Sequence, residues 1–221
     1  MRKYYGQHNT DKFIHKNYIT KPFTNGTFLE LGAINGVKFS NTKFFEDNMG
    51  FSEGVLIEPE PKSFSQLKRN RPNAKCFNFA IHEFEKETDF LVSDKMNAVG
   101  CVKDSTSTEF ISRWHKNSSV IKVPCQPLSY ILKKSNLKYI DLFSLDVEGA
   151  ELHCLNTMDW SIPVGLIVVE TDQNKEEIDF KLKEHGFTFT ANYSREGYYF
   201  NFEYFRKKLF SIDTITGLLK Q

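Results

Sequence analysis

A strand-like run that turns through two glycines, followed by a second run ending on a carboxylate, constrains this chain more than any other feature. The first run is Thr27-Phe-Leu-Glu-Leu-Gly-Ala-Ile-Asn-Gly36 and the second is Val55-Leu-Ile-Glu58. Together they predict a buried strand, a glycine-rich turn, a helix and another buried strand. Gly32 and Gly36 permit a tight turn and close approach of a ligand to the backbone, and Glu58 offers a carboxylate to both hydroxyls of a ribose. The spacing Glu-x-Gly-x-x-x-Gly departs from Gly-x-Gly-x-x-Gly, the fingerprint that seats a pyrophosphate on a helix N-terminus. A ligand with adenosine but no phosphates suits it better, and S-adenosylmethionine is the common one. A nucleotide-dependent dehydrogenase fits poorly.

The 221 residues suit one α/β domain with a complete core. With 40% apolar residues and a net charge of +1, no overall field favours nucleic acid or an anionic membrane. The basic clusters Lys68-Arg69-Asn-Arg71 and Arg206-Lys207-Lys208 read as solvated helix faces rather than phosphate sites. Cys76, Cys101, Cys125 and Cys154 form no Cys-x-x-Cys pair, which argues against zinc and against a disulfide framework. No run approaches the roughly 18 apolar residues of a membrane span, so a cytoplasmic location is expected. The Asn-x-Ser/Thr triplets at Asn25, Asn117 and Asn192 are then chance matches.

Short apolar runs alternate with amphipathic segments from about residue 27 to 190, the pattern of a parallel sheet with helices on both faces. Strands are predicted at 27–32, 53–58, 74–80, 139–145, 164–170 and 187–192, and a last one over Gly197-Tyr-Tyr-Phe-Asn-Phe202 as the antiparallel arm of a hairpin. Helices are expected around Phe44, Phe45 and Met49, after Pro61, from Ser129 to Lys134, and through Leu152, Leu155 and Met158. Residues 203–221 are expected to end the domain as a helix. Two segments depart from the pattern. Residues 1–26, with Tyr4, Tyr5, Gln7, His8, Asp11, Lys12 and His15, suit a cover over a ligand, and an ordinary surface helix explains them equally well. Residues 85–123 show no clear period and read as an acceptor-side insertion. Trp114 is its candidate for stacking on a sugar, with core packing the equal alternative.

The second chemical cluster is Ile140-Asp-Leu-Phe-Ser-Leu-Asp-Val-Glu-Gly-Ala-Glu-Leu-His153, a buried strand ending on Asp146 and turning through Gly149 into a helix. Ligands of open parallel sheets collect beyond the carboxyl ends of strands, so Asp146 and Glu148 are expected at the cleft. Acids complementing a helix N-terminus explain Glu148 and Glu151 well, but do not require Asp146 at the end of a buried strand, which favours a functional role for Asp146. The third cluster, Leu166-Ile-Val-Val-Glu-Thr-Asp172, is another strand ending in acids. Asp146, Glu170 and Asp172 have the chemistry of a magnesium or manganese site. In competing readings one carboxylate is a general base, or Asp172 caps the helix that follows. His153 is the nearest histidine to the cleft, whereas His185 before Gly186 reads as a helix C-terminal residue.

Gly6-Gln-His-Asn-Thr-Asp-Lys-Phe-Ile14, Phe28-Leu-Glu-Leu-Gly-Ala-Ile-Asn-Gly36, Ser40-Asn-Thr42, Ile57-Glu-Pro-Glu-Pro61, Val123-Pro-Cys-Gln-Pro-Leu128 and the Ile140–Glu151 segment together resemble the FkbM family of S-adenosylmethionine-dependent methyltransferases. The likeness spans nearly the whole chain. It implies a class I methyltransferase (Rossmann-like) three-layer sandwich, a seven-stranded mostly parallel sheet with the last strand antiparallel, and O-methylation of sugars in glycans. It also implies that Glu30, Gly32 and Gly36 approach the methionine part of the cofactor, Glu58 the ribose, and Ala80 and Ile81 the adenine edge. Gln7, Lys12, Ala33, Ser40, Asn41 and Asp146 complete the candidate cofactor set, and Asp146, Glu148, Glu170 and His153 the candidate catalytic set. Where the family more often has a polar pair after Ala33, this chain has Ile34 and Asn35. Met1 stands only a few residues ahead of the Gly6-Gln7 motif, as the start of an excised domain would, and the chain resembles methyltransferase domains attached to glycosyltransferases of large algal viruses. That similarity implies rhamnose hydroxyls of a capsid glycan as acceptors. The rival from another class is a non-catalytic module that keeps the fold to bind a glycan or a partner enzyme, which predicts loss of the acids that Glu30, Glu58 and Asp146 supply.

Overall fold

The computed structural model describes residues 2–93 and 99–208. The predicted core strands form as β1 (Gly26–Leu31), β2 (Phe51–Ile57), β3 (Lys75–Phe77), β8 (Ile140–Leu145), β9 (Val164–Glu170), β10 (Thr188–Tyr193) and β11 (Glu196–Phe200). They make one sheet in the order β10-β11-β9-β8-β1-β2-β3, and β11 runs antiparallel to both its neighbours. The arrangement with its last strand reversed is the one the resemblance implied. Every residue of β1, β8 and β9 is buried, as strands covered on both faces require.

Alternate side chains divide the core between the two faces. Leu29 and Leu31 of β1 and Phe143 and Leu145 of β8 pack on α5 (Leu128–Ser135), α6 (Glu151–Asn156) and α7 (Lys175–Glu184), through residues such as Ile131, Leu155 and Ile178. Phe28, Leu142 and Leu166 point the other way, onto α1 (Thr10–Asn17), α2 (Lys43–Asn48), α3 (Pro61–Asn70) and α8 (Phe202–Lys208). Pro61 opens α3, and the Glu60 carboxylate accepts from Lys62 N and Ser63 N, which satisfies two of the helix's free donors. Of the expected C-terminal helix, 209–221 lie outside the described residues.

The segment 85–123 is ordered differently from expectation. It carries β5 (Lys86–Val92), β6 (Cys101–Val102), α4 (Thr108–Trp114) and most of β7 (Ser119–Gln126), and 94–98 lie outside the described residues. The predicted strand 74–80 ends early, because Asn78 turns to donate to the carbonyls of Glu58 and Pro59. The chain then starts β4 (Ala80–Ile81), which joins a second sheet in the order β4-β7-β5-β6. Its inner face buries Ala80, Phe90, Val102, Val123 and Cys125, while Asp89 and Lys122 pair across its outer face.

A further correction concerns the basic run before β3. Lys68 and Arg69 are solvated, as expected, but Arg71 is 1% exposed. Its guanidinium donates to Gly36 O at 3.0 Å, Ser40 Oγ at 3.3 Å and Thr42 Oγ1 at 3.2 Å. Its Nε lies 2.6 Å from Glu46 Oε2 as an ion pair, off the hydrogen-bonding angle.

Candidate active site

A cleft of about 840 Å³, counting its open mouth, lies beyond the carboxyl ends of β1, β2 and β8. Parallel sheets place ligands there because the loops leaving neighbouring strands diverge. Gly32 has φ +76°, and a Cβ on it would stand 1.9 Å from the Asp146 carbonyl oxygen. Only glycine lets β1 leave the sheet this close to β8.

The β2 side of the cleft fits an adenosine. Glu58 is buried, and its two oxygens accept from Ile34 N and Glu60 N, both at 2.8 Å, which fixes the carboxylate at the cleft wall. Burial pushes its pKa up to about 8. Ile57, Phe79, Ala80 and Ile81 supply an apolar wall beside it, the environment a purine ring needs. Ile34 uses its backbone for this network, so the turn does not need a polar side chain there. Asn35 turns back to accept from Val37 N and Lys38 N.

The β1 side orders the loop over the other half of the cleft. Glu30 lines the cleft, but its oxygens are taken by Ser40 Oγ, Asn41 N and Thr42 Oγ1, each at 2.7 Å. Glu30 and Ser40 therefore hold Asn41 in place, and the Asn41 side chain donates to Ser144 Oγ at 3.0 Å. Asn41 Oδ1 is buried in the cleft wall with no partner, an acceptor suited to an ammonium group such as that of methionine. Gln7 also lines the cleft, from the N-terminal cover. That cover is held down by Thr10 Oγ1 donating to Glu196 Oε1 at 3.1 Å and by Asp11, which accepts from Tyr5 N and Lys12 N.

Five of the expected residues lie elsewhere. Gly36 packs against Leu67 and Arg71, where a Cβ would come within 2.6 Å of both side chains. Ala33 is buried in the core beside α2 and α3. Lys12 lies over the ring of Tyr4. His153 faces Glu83 at 3.5 Å and stacks on His82, because two residues of helix carry it about 200° round from Glu151. Trp114 is 40% exposed, beside Arg113 rather than in the cleft. The insertion reaches the cleft instead through Phe90, Gly100 and Val102.

Acids from β8 and β9 meet at the inner end. Asp146, Glu148 and Glu170 each bring an oxygen within 4.8 Å of the others. Glu148 adopts φ +55° and enters the cleft instead of capping α6, while Glu151 takes the helix-start role and accepts from Val147 N and Gly149 N. Glu196, which sequence reasoning missed, stands opposite Glu170 in the β9–β11 register. Asp172 does not join this group. Arg195 Nε in the hairpin turn donates to it at 2.5 Å while Nη2 pairs with Glu170, and Asp172 caps no helix, since Asn174 stands at the start of α7. Burial raises Asp146, and burial then mutual repulsion push Glu148 up to about 8 and Glu170 up to about 11. Carboxyls this close titrate as a unit, and at neutral pH the group retains protons.

The strand order, with the last strand reversed, is that of a class I methyltransferase. The Methyltransferase FkbM domain matches residues 30–200, and the chain belongs to that family of S-adenosylmethionine-dependent methyltransferases. A search of curated protein sequences gives no match. The fold is similar to ribosomal protein L11 methylase from Lactobacillus delbrueckii subsp. bulgaricus, at TM-score 0.50 and 10% identity over 88% of this chain and 78% of that one. TrmK from M. capricolum, solved with S-adenosylhomocysteine, superposes at TM-score 0.46 and 7% identity over 86% of this chain and 64% of that one. Precorrin-6y C5,15-methyltransferase from Geobacter metallireducens GS-15 gives 0.46 and 11% over 86% and 82%. Among the described residues, no helix is long and apolar enough to cross a membrane.

Two outcomes follow from Glu58. Glu58→Ala is expected to weaken S-adenosylmethionine binding by about 1–3 kcal/mol, because ribose hydroxyls lose a fixed carboxyl partner. Calorimetric titration giving unchanged affinity would reject the assignment. Glu58, Glu148, Glu151 and Glu196 sit at about 8, 8, 7 and 7, against an ordinary value of 4.5. Each carboxyl holds its proton more tightly in the folded chain, so its stabilising contribution is complete below about 4.5 and is lost as pH rises through about 7–8. The cofactor-free protein should therefore melt lower at pH ~9 than at pH ~6, with a shallower fall in Glu58→Gln. Equal slopes in the two proteins would contradict the buried-carboxyl origin.

Proposed function

We propose that the protein transfers the methyl group of S-adenosylmethionine to a hydroxyl oxygen of a sugar in a glycan. The observation that carries this reading is the convergence of Asp146, Glu148 and Glu170 at the inner end of the cofactor cleft. Bound S-adenosylmethionine supplies a methyl carbon on a cationic sulfonium and leaves as S-adenosylhomocysteine. The chain's task is to hold the acceptor oxygen in line with that carbon and to remove its proton, since a sugar hydroxyl is a very weak acid. Asp146 is the carboxylate best placed to take it, because it lines the cleft and is the most solvent-open of the three. As the oxygen–carbon bond forms and the sulfur–carbon bond breaks, the hydroxyl proton passes to the carboxylate. Burial raises Asp146 above the ordinary carboxylate range, which makes it a stronger proton acceptor once ionised.

The same acids argue against a polyanionic acceptor. Nucleic acid would bring phosphates toward carboxylates, and the net charge of +1 supplies no compensating field. The resemblance to glycan-modifying members makes rhamnose the first sugar to try, with glycosyltransferase domains as the matching partners. Incubation with methyl-labelled S-adenosylmethionine and a panel of glycans is expected to place the label in an alkali-stable methyl ether. Label found only in amines or nucleic acid would overturn the reading.

A further inference from the structure

We propose that Asp146, Glu148 and Glu170 form a binding site for a hard divalent cation, Mg²⁺ or Mn²⁺, with Glu196 standing beside it. The proposal deepens the O-methylation reading, on which it rests for its purpose: the cation would bind the acceptor hydroxyl and lower its pKa, so that its proton would pass to water in the cleft instead of directly to Asp146 as the methyl arrives.

Three observations carry it. The three oxygens lie within 4.8 Å of one another, close to the roughly 4 Å that separates opposite oxygens bound 2.0–2.1 Å from Mg²⁺. A small inward movement of flexible carboxylates closes the difference. Glu148 is 7% exposed, and its Oε2 is buried without a hydrogen-bond partner, although it lies among acceptors and lines the cleft. A buried carboxyl oxygen without a partner is unfavourable, and among acceptors a cation that displaces the bound proton is the partner its surroundings call for. Glu196 repeats the signature: it is 7% exposed, Thr10 satisfies Oε1, and Oε2 is buried and unpartnered.

The charge balance points the same way. Arg195 is the cation paired here, and it divides its guanidinium between Glu170 and Asp172 on the outer side. Asp146, Glu148 and Glu196 have no ion-pair partner among the described residues. The donor set selects the metal. Carboxylates without histidine or cysteine favour Mg²⁺ or Mn²⁺ over zinc, and Asp146, open to the cleft, leaves coordination positions for water and an acceptor hydroxyl.

The test is a Mn²⁺ titration of the cofactor-free protein, followed by loss of the free-ion electron paramagnetic resonance signal. Wild type is expected to bind one Mn²⁺ per chain and to release it to excess Mg²⁺. Glu148→Gln and Glu170→Gln, checked for folding by circular dichroism, are expected to bind about tenfold more weakly or worse. Wild type that leaves the Mn²⁺ signal unchanged overturns the proposal without reference to any variant. Undiminished binding by folded Glu148→Gln overturns it too, by placing the ion elsewhere. The readout is independent of methyl transfer: a protein that binds Mn²⁺ at these acids yet methylates no sugar keeps the site and loses the O-methylation reading.

Discussion

Asp146→Asn is expected to keep the fold and most of the affinity for S-adenosylmethionine while lowering kcat by on the order of 10² or more, the scale of a lost general base. Its side chain sits at the end of β8, where the Gly32 turn brings β1 within contact of the Asp146 backbone. The substitution removes the charge and leaves that backbone contact unchanged. An amide can neither take the acceptor's proton nor serve as an anionic ligand, so the loss falls on turnover rather than on folding. Wild-type sensitivity to a chelator then separates the two roles: activity lost to chelation and restored by Mg²⁺ assigns a ligand, and indifference assigns a direct base. A folded Asp146→Asn protein with near-normal kcat would remove the acid cluster from the reaction.

The parts of this site that could be read in advance are those set by local chain chemistry. Glu58, Asp146 and Glu170 end buried strands, and a charge at such a place has few destinations besides the cleft. Gly32 was legible for the same reason. What was hidden depends on partners far along the chain. Asp172 follows Glu170 by two residues but is claimed by Arg195 from the hairpin turn, so it leaves the cluster. Glu148 has the sequence position of a helix-start acid, yet Glu151 satisfies the free amides and releases it into the cleft. Glu196 lay one residue before the run identified as the last strand, and only the pairing with β9 sets it opposite Glu170.

The second sheet was hidden for another reason. Its strands have a single buried face, and charged residues such as Glu87, Asp89 and Lys122 interrupt the apolar pattern on the other. The pairing of β5 with β7 spans a helix and a loop, a separation at which local periodicity carries no signal. The alternation of Thr88 with Phe90 and of Val123 with Cys125 is the trace that could have revealed it. Its consequence is functional, since Phe90 and Val102 on that buried face wall the cleft.

Arg71→Met should be the most damaging change to stability, with a loss of about 3–5 kcal/mol, because it removes one partner of a buried charge network. In a domain of this size that corresponds to a fall in Tm of roughly 2–4 °C for each kcal/mol. The guanidinium satisfies Gly36 O, Ser40 Oγ and Thr42 Oγ1, pairs with Glu46, and lies 3.8 Å from Glu30 Oε2. Its carbon also stands 4.9 Å from the centre of the Phe28 ring. Methionine fills much of the volume but leaves the Gly36 carbonyl unpaired and the buried Glu30 carboxylate without its cation, while Glu46 keeps Lys43 at 3.3 Å. Glu30 holds Ser40, Asn41 and Thr42, so cofactor affinity should fall together with Tm. Arg71→Lys keeps the charge but not the planar fork, and should recover only part of the loss. If Arg71→Met melts within about 1 °C of wild type, contributing well under 1 kcal/mol, the network does not hold the glycine turn and the stability of the cofactor loop must come from the aromatic packing of Phe44 and Phe45 below it.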